Sequence, residues 1–249
     1  MKHKYQEVNI NSYDRISGTA TNFNIDLPNG VIPKKIGLIR AVIPNSWDVI
    51  NSTNNTIDLV EGALSATITI PIGSYTTDAF ETALKAEIIS AGFTNTYAVN
   101  GDESTHKLTI SADGAFSILF ESGSSTSTTC ADIMGFEKID YTGESTYTGT
   151  YVYNFSGANQ LYMKLTNATN YDFGVISSNV LDTNILAFIP ITENSGGTIF
   201  HNSGTAFANV SFFNCADFTN TMTFKLSFEN DEDIDLNGQE WSCLIGVYY

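Results

Sequence analysis

Hydrophobic and polar residues alternate along much of this chain with a period of two. NFNIDL (22–27) and SATITIPI (65–72) change side at nearly every residue, while IGLIRAVI (36–43) is a mostly apolar run. Such segments predict strands with one or both faces buried. Pro44-Asn45 breaks the backbone after the apolar run, WDVI follows, and Asn54-Asn55 marks a turn before TIDLV. Thr, Val, Ile, Phe and Tyr dominate these runs, which suits a pleated, half-buried surface. From about Tyr151 the pattern resumes, and QLYMKL, ILAFIPIT, GTIFHN, VSFF, TMTFKLSF and EWSCLIGVYY predict further strands.

One stretch departs from this period. Phe80, Leu84, Ile88 and Ile89 fall near helical spacing, Thr77 or Asp78 can cap the start, and Gly92 follows the end. A helix is therefore predicted over roughly Thr77 to Ala91. TYAV, HKLTIS and AFSILF then read as a small hairpin set packed on that helix, with Gly101 and Asp113-Gly114 as turn signals. Ser122 to Thr129 reads as a mobile surface loop, and TCADIMGF as one or two short helical turns. The fold class is mainly all-β. The expected organisation is a β-sandwich of residues 1–62 and 147–249, with residues 63–146 inserted as a small α+β domain. Neither flank alone holds enough strands for two stable sheets, and closing a chain across an insertion costs entropy only logarithmically in its length.

Composition narrows the function classes. Of 249 residues 42 % are hydrophobic and 12 % aromatic, enough to fill a core and to exclude general disorder. Charged residues are 15 %, with 27 acidic against 11 basic, for a net charge of -16, so the acidity reflects scarce Lys and Arg rather than acidic blocks. Without clustered cations there is no broad nucleic-acid face, and an anionic membrane is excluded as the main partner. The charge is uneven: Lys2, Lys4, Arg15, Lys34, Lys35 and Arg40 outnumber Glu7, Asp14 and Asp26 in the first 40 residues, while acids dominate the rest. The two ends are therefore expected to face different surroundings.

MKHKYQEVNINSYDR lacks the apolar core of an export signal, and no run of about 18 apolar residues occurs, so no membrane insertion is expected. The sequons at Asn51, Asn54, Asn154, Asn167 and Asn209 are then read as accidents of an Asn-, Ser- and Thr-rich chain. Cys130, Cys215 and Cys243 are odd in number and lack metal-type spacing, and read as reduced, mostly buried thiols of a protein made in the cytosol.

His3, His106 and His201 lie far apart, with no nucleophile elbow, phosphate loop, dinucleotide fingerprint or zinc-protease motif nearby. No carboxylate pair stands out for glycoside chemistry. An enzyme is not expected, and no catalytic, cofactor-binding or metal residue is assigned. The sharpest local feature is ENDEDIDLNG (229–238), where Asp233, Asp235, Asn237 and Gly238 match the opening half of a calcium loop. The closing bidentate acid would fall at position 244, which is Leu244. The run reads instead as an acidic hairpin turn between TMTFKLSF and EWSCLIGVYY, ending in Asn237-Gly238, with weak metal binding by residues 231–238 as the alternative. Trp47 and Trp241 lie in strand-like runs as core anchors or, alternatively, ligand platforms.

Several phrases, in order, resemble the penton, or minor capsid, proteins of virophages and polinton-like viruses. They are YDRISGTATNFNIDLP, AVIPNSWDVI, ITIPIGSYTTDAFETAL, ADIMGF, ILAFIPI and DLNGQEWSCLIGVYY, and together they span nearly the whole chain. The resemblance implies a single jelly roll of two four-stranded sheets, with the inserted unit projecting from it. It implies a structural capsid protein of the virion, occupying fivefold vertices as a homopentamer beside a major capsid protein. Assembly in the host cytoplasm or a viral factory and contact with a host receptor would go with that role. A ring needs a heterologous contact between two different flanks of one chain, which charge-poor Thr, Ser, Asn and Tyr surfaces suit. The acids are accordingly expected on outward surfaces, and an amino-terminal arm of about residues 1–15 toward the shell interior. The rival class is a jelly-roll carbohydrate-binding or host-attachment module of a virion, since fold alone does not decide function. A β-sandwich hydrolase is a third.

Overall fold

A computed structural model describes residues 4–28, 31–166, 171–172, 184–203, 213–215 and 220–249. The strands begin with β1 (Tyr5–Asn11), β2 (Ser17–Gly18), β3 (Asn22–Asp26), β4 (Lys35–Pro44), β5 (Thr56–Glu61) and β6 (Leu64–Thr69). Helix α1 (Thr77–Ser90) follows, then β7 (Tyr97–Asp102), β8 (Lys107–Leu119), helix α2 (Ala131–Met134) and β9 (Asp140–Thr148). The remaining strands are β10 (Gln160–Leu165), β11 (Tyr171–Asp172), β12 (Ile185–Pro190), β13 (Thr198–Asn202), β14 (Phe213–Cys215), β15 (Thr221–Ser227) and β16 (Ser242–Tyr248). No helix among the described residues is long and apolar enough to cross a membrane.

The chain divides into two compact units, residues 1–47 with 158–249, and residues 48–157. In the first, one sheet runs β1-β16-β4, with β13 and β14 both on the far side of β4, and the other runs β12-β10-β15-β3-β2. All pairs are antiparallel. Taking β1, β3, β4, β10, β12, β13, β15 and β16 in turn, the chain alternates between the sheets except at β10 to β12, which are neighbours. That is the double Greek key of a jelly roll, whose two-sheet closure leaves few exposed edges. Inward residues of both sheets, among them Val8, Ile10, Phe23, Ile43, Met163, Phe224 and Ile245, form one core. Between Leu244 and Ile245 the β16–β4 register slips by one residue of β4, a bulge that keeps Leu38 and Ala41 both facing the core.

The second unit has a sheet in the order β6-β5-β8-β7, with β9 also on β8, and its own core. Helix α1 buries Phe80, Leu84 and Ile88, one turn apart, but leaves Ile89 62 % exposed, so the apolar stripe is narrower than the sequence pattern. Thr76 caps it, accepting from the Ala79 amide, one residue ahead of the expected Thr77 or Asp78. Helix α2 ends on Gly135 at φ 76, where an added side chain would meet the Tyr151 carbonyl.

Four expectations are corrected. The unit boundaries fall at 47/48 and 157/158 rather than at 62/63 and 146/147, because β5 pairs with β6 and β8 in the second sheet. At the other boundary the Tyr153 and Asn154 amides donate to His106 and Ile133. Asp113-Gly114 does not turn the chain: it lies inside the 13-residue β8, whose register with β9 shifts there. Residues 229–238 do not close a hairpin, since β15 and β16 belong to different sheets and this segment crosses between them. From Tyr5 to Asn11 the expected arm is a strand of the sheet, with β1 hydrogen-bonded along its length to β16.

Candidate assembly surface

Alternation along β1, β16, β4 and β13 sends every second residue out of the core, and pairing aligns those residues in rows. Asn9, Leu244, Arg40 and Asn202 form one row across the four strands, and Asn11, Ser242, Val42 and Phe200 the next. Phe200 is 72 % exposed, the reverse of what an aromatic in a sheet ordinarily does. Two adjoining shallow grooves, of about 290 and 330 Å³, run over these rows and onto Pro44, Thr198 and Glu240. Arg40 is the one charge in the two rows, and no ion pair involves it among the described residues. Chemically the two rows offer an aromatic anchor, small polar groups and one guanidinium, with the Glu240 carboxylate at the edge of the groove.

The opposite sheet presents a different outer face. Asn24 donates to Ser17 Oγ at 2.9 Å and accepts from Thr223 at 2.5 Å, while Thr221 donates to Asp26 at 2.5 Å. Its polar groups thus satisfy one another. Lys164 lies directly opposite Lys225 across β10 and β15. Asp231 bridges them, 2.9 Å from each ammonium, and Asp233 adds a contact of 3.0 Å to Lys225. Burial alone would raise the Asp231 carboxyl, but the two lysines hold it below the ordinary Asp value. For this Asp231 takes a left-handed conformation, φ 65. Within the calcium-like run, Asp233 thus serves a lysine and Asp235 accepts from the Asn237 amide at 2.8 Å, while Ile234 and Leu236 enter the core. No group of three or more His, Cys, Asp or Glu is gathered to hold a metal among the described residues.

A third cluster closes the roll at the start of β16. Ser12 donates to Glu240, Arg15 Nη1 lies 2.7 Å from Glu240 Oε1 and the Trp241 amide donates to Ser12 Oγ at 2.9 Å. Partial burial pushes the Glu240 carboxyl up, and the Ser12 hydroxyl and Arg15 guanidinium more than reverse this, leaving it below the ordinary Glu value.

No protein-family model matches this sequence, and no curated protein does. Among solved structures, the crystal structure of the mavirus penton protein matches with a TM-score of 0.52 at 8 % identity, covering 100 % of this chain and 100 % of that one. The two proteins share a fold. Full coverage of both chains brings the inserted unit into the likeness to the mavirus penton protein, not the roll alone.

The remaining residues singled out from the sequence disperse. Trp47 and Trp241 are 5 % and 2 % exposed and pack in the roll's core, with Trp241 Nε1 donating to the Ala20 carbonyl. His106 is exposed at φ 52 just before β8, its ring edge-on to Tyr153. His201 is half-buried on β13 with Nε2 3.1 Å from Ser203 Oγ, and burial lowers its pKa. His3 lies outside the described residues, as do Asn167 and Asn209. Asn51, Asn54 and Asn154 use their side chains to brace local turns. Cys130 and Cys243 are buried thiols whose pKa burial raises, while only the backbone of Cys215 is described, in β14. The loop at 122–129 is tied down rather than free: the Ser125 amide donates to the buried Asp58 at 2.7 Å, and the Ser124 hydroxyl at 3.2 Å. Phe200 was overlooked, yet its signal stood in GTIFHN, where Phe follows a core Ile and so takes the outward phase.

Proposed function

We propose that this chain is a structural capsid protein of a virion, closing the fivefold vertices of an icosahedral shell as a homopentamer. The observation that carries this reading is a jelly roll with an internal insertion, matched from end to end by the mavirus penton protein. The major capsid protein is the neighbour at the vertex boundary, and host cytoplasm or a viral factory the place of assembly.

The charge layout supports an orientation. Residues 48–157 hold 14 acids and three lysines, a net -11, so the larger roll carries only -5. Within the roll, Lys34 and Lys35 begin β4 and Lys4 pairs with Tyr249 at that same end, whereas the insert departs beyond Pro44 at the other. On this reading the basic end of the roll faces the shell interior.

Native mass spectrometry and electron microscopy of the full chain, alone and with a major capsid protein, test the role. Pentamers, or shells with this chain at their vertices, are expected. A strict monomer at high concentration that also fails to join shells would overturn it. Glycan binding by such a monomer would favour the attachment-module reading.

A further inference from the structure

We infer that the outer face of the β1-β16-β4-β13 sheet, with Phe200 on its outermost strand, is the surface on which a second copy of this chain docks, and that the docking copy presents its opposite sheet. The inference rests on the vertex reading and names the contact within it. A closed ring requires two different patches of one chain to meet, and the roll's two outer faces differ in the required way. The first carries an exposed aromatic, grooves of about 290 and 330 Å³ beside it, and exposed Lys35 and Arg40 against Glu7, a slight basic excess with Arg40 the charge nearest the aromatic. On the second, Asp231 and Asp233 occupy Lys164 and Lys225, and exposed Asp26 on β3 leaves three acids against two lysines. The charges of the two faces are therefore complementary, while each face against its own kind would set Arg40 against Arg40 or acid against acid.

Area agrees with a part share in such a contact. Four strands at about 4.8 Å and six residues at about 3.3 Å give a patch of roughly 400 Å². A standard contact covers about 800 Å² per partner, so loops around the patch supply the other half. Phe200 projects from β13, the outermost of the four strands, as the large exposed aromatic of the patch, and small neighbours such as Ser242, Asn202 and Val42 leave room beside it for the facing chain.

The experiment is sedimentation velocity and native mass spectrometry on the full chain and on Phe200→Asp and Arg40→Glu, with far-ultraviolet circular dichroism and melting temperature as fold controls. The wild-type chain is expected to form pentamers. Phe200→Asp should raise the concentration for half-assembly at least about 30-fold, the loss of an exposed aromatic anchor, without lowering the melting temperature. Arg40→Glu should raise it about fivefold and more at low salt. Adding Asp26→Lys to Arg40→Glu should recover part of that loss, because it reverses a charge on the facing sheet. Wild-type pentamers that persist unchanged in Phe200→Asp overturn this inference and leave the vertex role standing. Wild-type chains that never associate overturn the inference too, and shell incorporation then decides the role separately. If Phe200→Asp melts early, Phe200→Ser in its place gives the same reading.

Discussion

Asp58 has a buried carboxylate on β5 that accepts from the Ser125 amide and from the hydroxyls of Thr67 and Ser124. Gly123 has no side chain because one would strike Asp58 and the Leu119 carbonyl. Asp58→Ala strands these donors and should cost about 2 kcal/mol in urea unfolding, since a buried group without its partner loses about 1–3 kcal/mol. A loss under about 0.5 kcal/mol would show that the loop does not depend on it. Glu240 makes a pH prediction. Its folded carboxyl titrates below its ordinary value of 4.5, so the stabilisation it gives is complete above that value and declines as the pH falls below it. Glu240→Gln should flatten the dependence of melting temperature on pH below about 4.5 and leave it unchanged near neutrality. Neither site was legible in the sequence. Ser12 and Glu240 are 228 residues apart, and only the pairing of β1 with β16 brings them together.

At the scale of elements, like charges at facing positions of neighbouring strands ordinarily destabilise a sheet. Lys164 opposite Lys225 is tolerated because the turn after β15 returns Asp231 between them. Removing one partner of a buried pair costs about 3–5 kcal/mol, and with Asp231 half exposed Asp231→Ala should cost about 2 kcal/mol in chemical denaturation. Asp231→Asn separates charge from backbone, as Asn keeps the left-handed conformation at little cost. A loss nearly as large for Asn as for Ala assigns the effect to charge. Most elements could be read from periodicity: the helix expected over Thr77–Ala91 is α1, and NFNIDL, QLYMKL and TMTFKLSF are strands. Partnership could not be read. TIDLV has four consecutive buried residues whichever sheet it joins, so nothing in it assigned β5 to the second unit. The Asn237-Gly238 turn is real, with both residues at positive φ, but it bends a connection between sheets rather than a hairpin.

For the whole molecule, the sequence disclosed an insertion but placed its ends 15 and 11 residues too far in. The ends of the second unit meet: a methyl group added to Gly157 would lie 3.2 Å from Val49 Cγ2. A short Gly/Ser linker from Trp47 to Ala158 should therefore leave the roll folded, and residues 48–157 should fold alone. Each piece should reproduce one of two unfolding transitions in the full chain, and a piece that fails to fold would mean the units depend on each other.

The pairing of β1 with β16 also imposes an order in time. With 228 residues between Ser12 and Glu240, a ribosome moving at about 5–20 residues per second needs roughly 10–50 s to bring β16 out after β1. The insert is contiguous and can fold during that interval, whereas β1 waits beside an incomplete sheet with its core-facing Val8 and Ile10 uncovered. The Phe200 face shares this wait, since β16 is its second strand. A nascent chain thus lacks the finished surface on which copies could join, and premature association during synthesis is restrained by topology.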